Sequence, residues 1–264
     1  MLWFIVLLSS FASSIGLVDQ AHGALRNSRA EGFVRALEFK HRLRVCNAYP
    51  YAAALDVFRG RGEKLTEDAP MHYKTCKDFL AHLKSGDKLE FKVGDASAGT
   101  FSVSDLPNND AVLLLVIHRH DTLSTAVSFE SHVFANLMNA QVAIIDTYKG
   151  EAQATPKIMD VDEKKTNRVE ELRFDSVVAV NPGLYQVELV GSDGGVKVKS
   201  ELVALTQESY VVIRTGVEAQ QGPAYPQDLI IYPNSDVASL HGSAMYFAKA
   251  SLVVLAAVVS TQWW

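Results

Sequence analysis

Apolar and polar side chains alternate along much of the chain between residues 40 and 233. In Lys88-Leu89-Glu90-Phe91-Lys92-Val93 and in Leu184-Tyr185-Gln186-Val187-Glu188-Leu189 the period is two, that of strands with one face in a core and the other in water. Residues 112–117 and 210–213 are unbroken apolar runs, suited to the middle of a sandwich. Turn chemistry separates these segments at Ser85-Gly86, Gly94-Asp95, Asn108-Asn109, Asn181-Pro182-Gly183 and Ser192-Asp193-Gly194-Gly195. Helix is scarce. Residues 72–83 fit a helix, with Phe79, Leu80 and Leu83 on one face, or a strand. Residues 160–171 are dense in charge and fit a short helix or a solvated loop inserted in the second half.

The chain also matches itself. Leu55-Asp56-Val57-Phe58-Arg59-Gly60 recurs conservatively as Ile145-Asp146-Thr147-Tyr148-Lys149-Gly150, and Arg44-Val45-Cys46-Asn47-Ala48 stands beside His132-Val133-Phe134-Ala135-Asn136 as a first strand. An alternating strand, a further strand and an apolar run then follow in the same order in each half. These are residues 89–93, 101–103 and 112–117 in the first half and 185–189, 196–198 and 210–213 in the second. The expectation is an all-β fold of two tandem immunoglobulin-like β-sandwich domains with little helix, over residues 40–122 and 129–233.

Both ends are apolar. Residues 2–18 run into Asp19 and then Ala21-His22-Gly23-Ala24, small residues at the spacing a signal peptidase reads, so residues 1–23 are expected to be a signal peptide. An uncleaved signal anchor is the alternative. At the other end Asn234-Ser235-Asp236, a polar spacer and the apolar residues 250–259 have the layout of a glycolipid-anchor signal, with Asn234 as the attachment residue. A short transmembrane tail within residues 234–264 is the alternative. The chain is therefore expected in the secretory pathway, held by its C-terminal tail at a membrane, at the cell surface or in the periplasm. Cys46 and Cys76 would both be exported, where an even count reads as one disulfide; two buried free thiols are the other reading.

Composition narrows the chemistry. The formal net charge is −5, with Lys and Arg scattered, which excludes a phosphate-tracking stripe and with it nucleic acid. No Gly-x-Ser-x-Gly elbow, phosphate-binding Gly-Lys loop, His-Glu-x-x-His or Cys-x-x-Cys occurs. His118 and His120, two apart at a strand end, share a face and could meet a metal, but spacing names no further ligand. They read better as a polar strand end. Asp56 and Asp146 read as turn residues bonding nearby backbone rather than as paired acid–base carboxylates. Alternating Phe and Tyr read as core before a sugar-stacking platform. Residues 220–226 form a loop before the last strand. No catalytic residue, cofactor or metal ligand is assigned, and the chain is not expected to be an enzyme.

The order of elements resembles the AlgF family, accessory proteins of bacterial alginate O-acetylation built from two small β-sandwich domains. The matching stretches are Arg44-Val45-Cys46-Asn47-Ala48, residues 89–95 and 112–118 in the first half. In the second they are residues 135–139, Ala179-Val180-Asn181-Pro182, and residues 185–191, 210–216 and 228–233. The strands also look like the tandem sandwich repeats of cell-surface proteins. The AlgF resemblance implies a non-catalytic adaptor that docks onto polysaccharide-modifying acetyltransferase subunits. The apolar tail and the cysteine pair depart from that family and favour a cell surface over the periplasm. The expected function is that of an adaptor in O-acetylation of a surface polysaccharide, and a membrane-anchored surface module for glycan binding or adhesion is the alternative.

Overall fold

The computed structural model describes residues 39–60, 62–135, 139–161 and 168–240. The expected signal peptide and the apolar residues 250–259 lie outside that range. The described residues belong to one compact unit. Its first eight strands are β1 His41–Ala48, β2 Asp56–Arg59, β3 Glu63–Lys64, β4 Thr75–Phe79, β5 Lys88–Val93, β6 Ala96–Ser102, β7 Ala111–Arg119 and β8 Val127–Phe134. The next eight are β9 Ala140–Asp146, β10 Ala154–Asp160, β11 Val169–Glu171, β12 Ser176–Val180, β13 Gly183–Gly191, β14 Val196–Ala204, β15 Ser209–Val217 and β16 Tyr225–Tyr232. Helix among the described residues is a short turn at 238–240.

Among the described residues the strands form four sheets, and the second eight repeat the first. Orders β4-β1-β7-β8 and β3-β2-β5-β6 recur as β12-β9-β15-β16 and β11-β10-β13-β14. The class is therefore all-β and sandwich-like, with the same topology twice. In each copy the first and seventh strands pair in parallel, β1 with β7 and β9 with β15. A parallel neighbour requires a long crossover, here made by the intervening strands.

The topology corrects two of the sequence matches. Residues 132–135, aligned above with β1, lie in and just after β8, which pairs with β7 at the edge of the first copy. Residues 145–148 align with 46–49 and not with 55–58, because β9 is the counterpart of β1. Asn47 and Asp146 are thus equivalent. Each side-chain Oδ1 accepts the backbone N–H two residues on, from Tyr49 and Tyr148, at 3.0 Å in both cases. The possible helix at residues 72–83 is strand β4 at its centre, and residues 160–171 comprise the end of β10, β11 and a stretch outside the described residues.

Burial explains the two hydropathy patterns. Sheets β3-β2-β5-β6 and β11-β10-β13-β14 are outer layers, so β5 and β13 alternate between core and exposed faces. Every residue of β7 and β15 is buried, because their sheets are covered on both sides. One side of each inner sheet meets its own outer sheet: Leu43, Val45, Leu113, Leu115 and Ile117 pack with Leu89 and Phe91, and Val142, Ile144 and Val212 pack with Val187 and Leu189. The opposite sides meet each other. Cys46, Val112, Leu114, Val116 and Phe134 pack on Ala143, Ile145, Val211, Ile213 and Ile230. There is thus a third apolar layer between the two that the duplication predicts, and burying each of its larger side chains contributes about 1.5–3 kcal/mol.

Candidate functional site

Parallel pairing puts the C-terminal ends of β1 and β7 side by side, and likewise those of β9 and β15. The loops that leave them, residues 49–55, 120–126, 147–153 and 218–224, gather at one end of the unit. Gln220 N–H donates to the Thr122 carbonyl at 2.9 Å, and Glu218 N–H to the Lys149 carbonyl at 2.8 Å, which joins loops within and between the copies. The segments entering β4 and β16 arrive at the same end, since Thr75 pairs opposite Asn47 and Tyr225 opposite Val217.

This end carries Tyr49, Tyr51, Tyr73, Tyr148 and Tyr225, five of the nine tyrosines. Each is fixed differently. Tyr49 is buried, its N–H held by Asn47 and its hydroxyl donating to the Thr125 carbonyl at 2.7 Å. Tyr51 lies 5.9 Å from it, ring to ring, and is 41% exposed. Tyr73 and Tyr225 meet edge to face at 5.4 Å, and burial pushes the Tyr73 hydroxyl up to about 12. Tyr148 is stacked under the buried Arg214, whose guanidinium carbon lies 4.3 Å from the ring, while Arg214 Nη1 meets Asp146 at 2.9 Å. Of these five rings Tyr51 is the most open to solvent.

Arg119 lies near enough to Tyr49 to act electrostatically on its hydroxyl. Its side chain is 3% exposed, Nε donates to the Ser124 carbonyl at 2.6 Å, and Nη2 is buried without a hydrogen-bond partner. Among the described residues no carboxylate pairs with this cation. The Asp121 carboxylate instead accepts from the backbone N–H groups of Leu123 and Ser124, which shape the loop over Arg119 and hold Asp121 below the usual carboxylate range. The exposed Tyr51 ring offers a face on which a planar or ring ligand can stack.

The two histidines separate. His118 is 2% exposed, its Nδ1 lies 2.9 Å from the Arg119 carbonyl, its Nε2 is unpartnered, and burial lowers it to about 4. His120 is exposed and bonds Ser128 Oγ at 2.7 Å. Among the described residues no group of three or more His, Cys, Asp or Glu is placed to hold a metal ion. Asp56 accepts from Thr66 Oγ1 at 2.7 Å and pairs with Lys64, and Asp146 holds Arg214 and the Tyr148 N–H, so the two carboxylates serve separate local structures. Cys46 and Cys76 are bonded, directly opposite each other on β1 and β4. Asn234 is exposed just after β16.

Sequence reasoning missed Arg44, Arg119 and Arg214. All three are buried cations inside or ending apolar strands, as in Leu43-Arg44-Val45 and Ile213-Arg214-Thr215, and that interruption is the signal that could have marked them.

No family model matches the chain, and no curated protein matches it. Among solved structures, similarity is found to CBMbc, a CBM26 module from Eubacterium rectale Amy13K in complex with maltoheptaose. The identity is 8%, over 74% of this chain and 98% of that one, with a TM-score of 0.25. A likeness that slight carries neither fold nor ligand to this chain.

Proposed function

We propose that the protein is a non-catalytic, exported surface module that binds glycan through its tyrosine-rich loop end. The observation behind this reading is an opposition within the fold. Tyr51 and the loops around Arg119 lie at the C-terminal ends of β1 and β7, whereas Phe39 enters and Ser235 leaves at the other end. Ser235 Oγ lies 3.0 Å from the hydroxyl of Tyr210, at the start of β15. A C-terminal anchor beyond Asn234 then holds one end at the membrane and presents the aromatic end outward. Tyr51 supplies a flat apolar face for a sugar ring, and the loops 120–126 and 218–224 at the same end carry His120, Thr122 and Gln220 as hydrogen-bonding groups.

The test is a glycan array probed with the full-length protein in mild detergent, beside Tyr51→Ala. Binding that falls about tenfold in the variant, equivalent to about 1.4 kcal/mol, with thermal stability unchanged, supports the reading. Binding unaffected by the variant, or no carbohydrate bound, rejects the site. Co-purification with a membrane acyltransferase and no carbohydrate bound would move the assignment to the O-acetylation adaptor that the AlgF resemblance implies. Phospholipase release of the protein from cells would test the lipid anchor at Asn234.

A further inference from the structure

A sheet edge is a row of unpaired backbone groups, and proteins guard such edges with Pro, Lys, bulges or short strands. The internal duplication lets the edges of the two inner sheets be compared. β4 and β16 lie on one side of the unit, where Tyr73 meets Tyr225 and Lys74 pairs with Asp228. That side is guarded. β16 carries Pro226 and a register shift against β15, and β4 carries Lys77 and Asp78, paired with Asp68 and Arg44.

The opposite side is open. β8, the counterpart of β16, reads Val-Ser-Phe-Glu-Ser-His-Val-Phe over eight residues, with neither Pro nor Lys, and pairs with β7 in unbroken register. β12, the counterpart of β4, reads Ser-Val-Val-Ala-Val with no charge. Val133 on β8 is 42% exposed and Val177 on β12 is 40% exposed. A cavity lies on each face of β8. One is apolar, about 60 Å³, and lined by Leu89, Phe101, Val103, Leu106 and Val133. The other, about 160 Å³, is lined by Glu130, His132, Asp175, Ser176 and Val177 between β8 and β12.

We propose that β8 pairs antiparallel with β8 of a second copy, making a twofold dimer in which β4-β1-β7-β8 continues across the axis. The sequence of β8 is complementary to itself in one register. With Ser131 on the axis, Glu130 faces the partner's His132 and Phe129 faces the partner's Val133. A carboxylate thus meets an imidazole on one face, and two apolar side chains meet on the other. Each pair occurs twice, as an isologous interface requires. Slipping the register by one residue turns the apolar positions of one strand toward the polar positions of the other. This pairing is independent of the glycan site, which lies in the loops.

The test uses the full-length protein in mild detergent. Light scattering should give twice the protomer mass, and Val133→Lys should reduce it to the protomer mass. Leu80→Lys, at a residue 91% exposed away from β8, should leave it doubled. Ser131→Cys should form a covalent dimer on mild oxidation, and Ser102→Cys on β6 should not; the native cysteines are already bonded to each other. A protomer mass for the unaltered protein at tens of micromolar would overturn the proposal. So would a dimer that survives Val133→Lys, or one whose Ser131→Cys form does not cross-link. A second polypeptide of different sequence found on β8 would overturn it as well.

Discussion

Arg44 and Glu208 are far apart in the chain, yet Arg44 Nη2 lies 3.3 Å from the Glu208 carboxylate across the layer where the two copies meet. The same guanidinium holds Asp78 on β4 through Nε at 2.8 Å and Nη2 at 2.9 Å, donates to the Ser209 carbonyl, and sits 4.9 Å from the Tyr232 ring. It is fully buried, while Asp78 and Glu208 keep partial contact with water. Burial alone would lower the Arg44 pKa, and the two carboxylates reverse that, so it lies above its ordinary value.

Removing this cation should therefore be costly. Arg44→Ala leaves Asp78 and Glu208 with only the half-exposed Arg42, at 3.4 and 3.2 Å, and opens a cavity at the edge of the apolar layer. Leaving a buried charge wholly unpaired costs about 3–5 kcal/mol, and the expected loss is at the low end of that range because Arg42 and water still reach both carboxylates. Denaturant unfolding checks it. A loss below about 1 kcal/mol would show that Asp78 and Glu208 rehydrate freely and that the cluster does not hold the copies together.

The disulfide acts on the same sheet. Cys46 and Cys76 close a loop of 30 residues that contains β2 and β3, and join β1 to β4 inside the third apolar layer. In the chain-entropy account a loop of that length stabilises by about 3–4 kcal/mol. Cys46→Ala with Cys76→Ala should lose that amount, and reduction of the unaltered protein should shift its unfolding midpoint by a matching amount. Equal stability of the oxidised and reduced forms would remove the bond from any structural role.

The strand content was legible because period two and turn residues are local signals. Residues 112–117 and 210–213 were recognisable as strands buried on both faces, but their composition does not reveal what covers the second face. The answer, the other copy's inner sheet, depends on packing between segments about a hundred residues apart. The duplication was legible for β5, β6 and β7, whose patterns are strong. It was misaligned at β1, because Asp56 and Asp146 share a residue type whereas the true counterpart of Asp146 is Asn47. An Asn and an Asp can make the same turn bond to the second residue on, so identity is a poorer guide there than geometry. At the loop end, Tyr51 was visible as an aromatic residue, but its exposure beside a buried Tyr49 was not. Arg119 could be read in the sequence only as a charge; its lack of a carboxylate partner is a fact of three-dimensional arrangement.

His118 sets a pH dependence. Burial at the layer between the copies lowers its pKa from 6.5 to about 4, with smaller contributions from Lys149 and His120, and only the Arg119 carbonyl acts in the other direction. Glu130 Oε1, the nearest carboxylate recorded, is 3.8 Å from Nε2 and half exposed. The unfolded chain takes up a proton near 6.5, whereas the native chain resists until about 4. Stability is therefore full above pH 6.5 and falls as the pH drops toward 4, by a few kcal/mol. His132, also lowered by burial, adds to the same slope. Denaturant midpoints measured across this window should fall, and His118→Gln should flatten the slope. A slope unchanged in that variant would assign it to other groups.

Gly216 is the point at which β15 breaks register with β16, between Thr215 and Val217. Its φ is +124°, a conformation L side chains rarely adopt, and an added Cβ would lie 2.5 Å from the Pro226 carbonyl oxygen. Both the backbone and the contact thus demand glycine. The bulge turns the end of β15 so that Lys149 N–H reaches the Gly216 carbonyl at 3.2 Å, which fixes the loop carrying Tyr148. Gly216→Ala should destabilise by about 1–3 kcal/mol from backbone strain alone, before the clash is counted. Because the strain falls at the loop end, hydrogen exchange should quicken first in residues 147–153 and 218–224. Uniform quickening across the strands of both copies would show instead that the bulge supports the whole unit and not the loops.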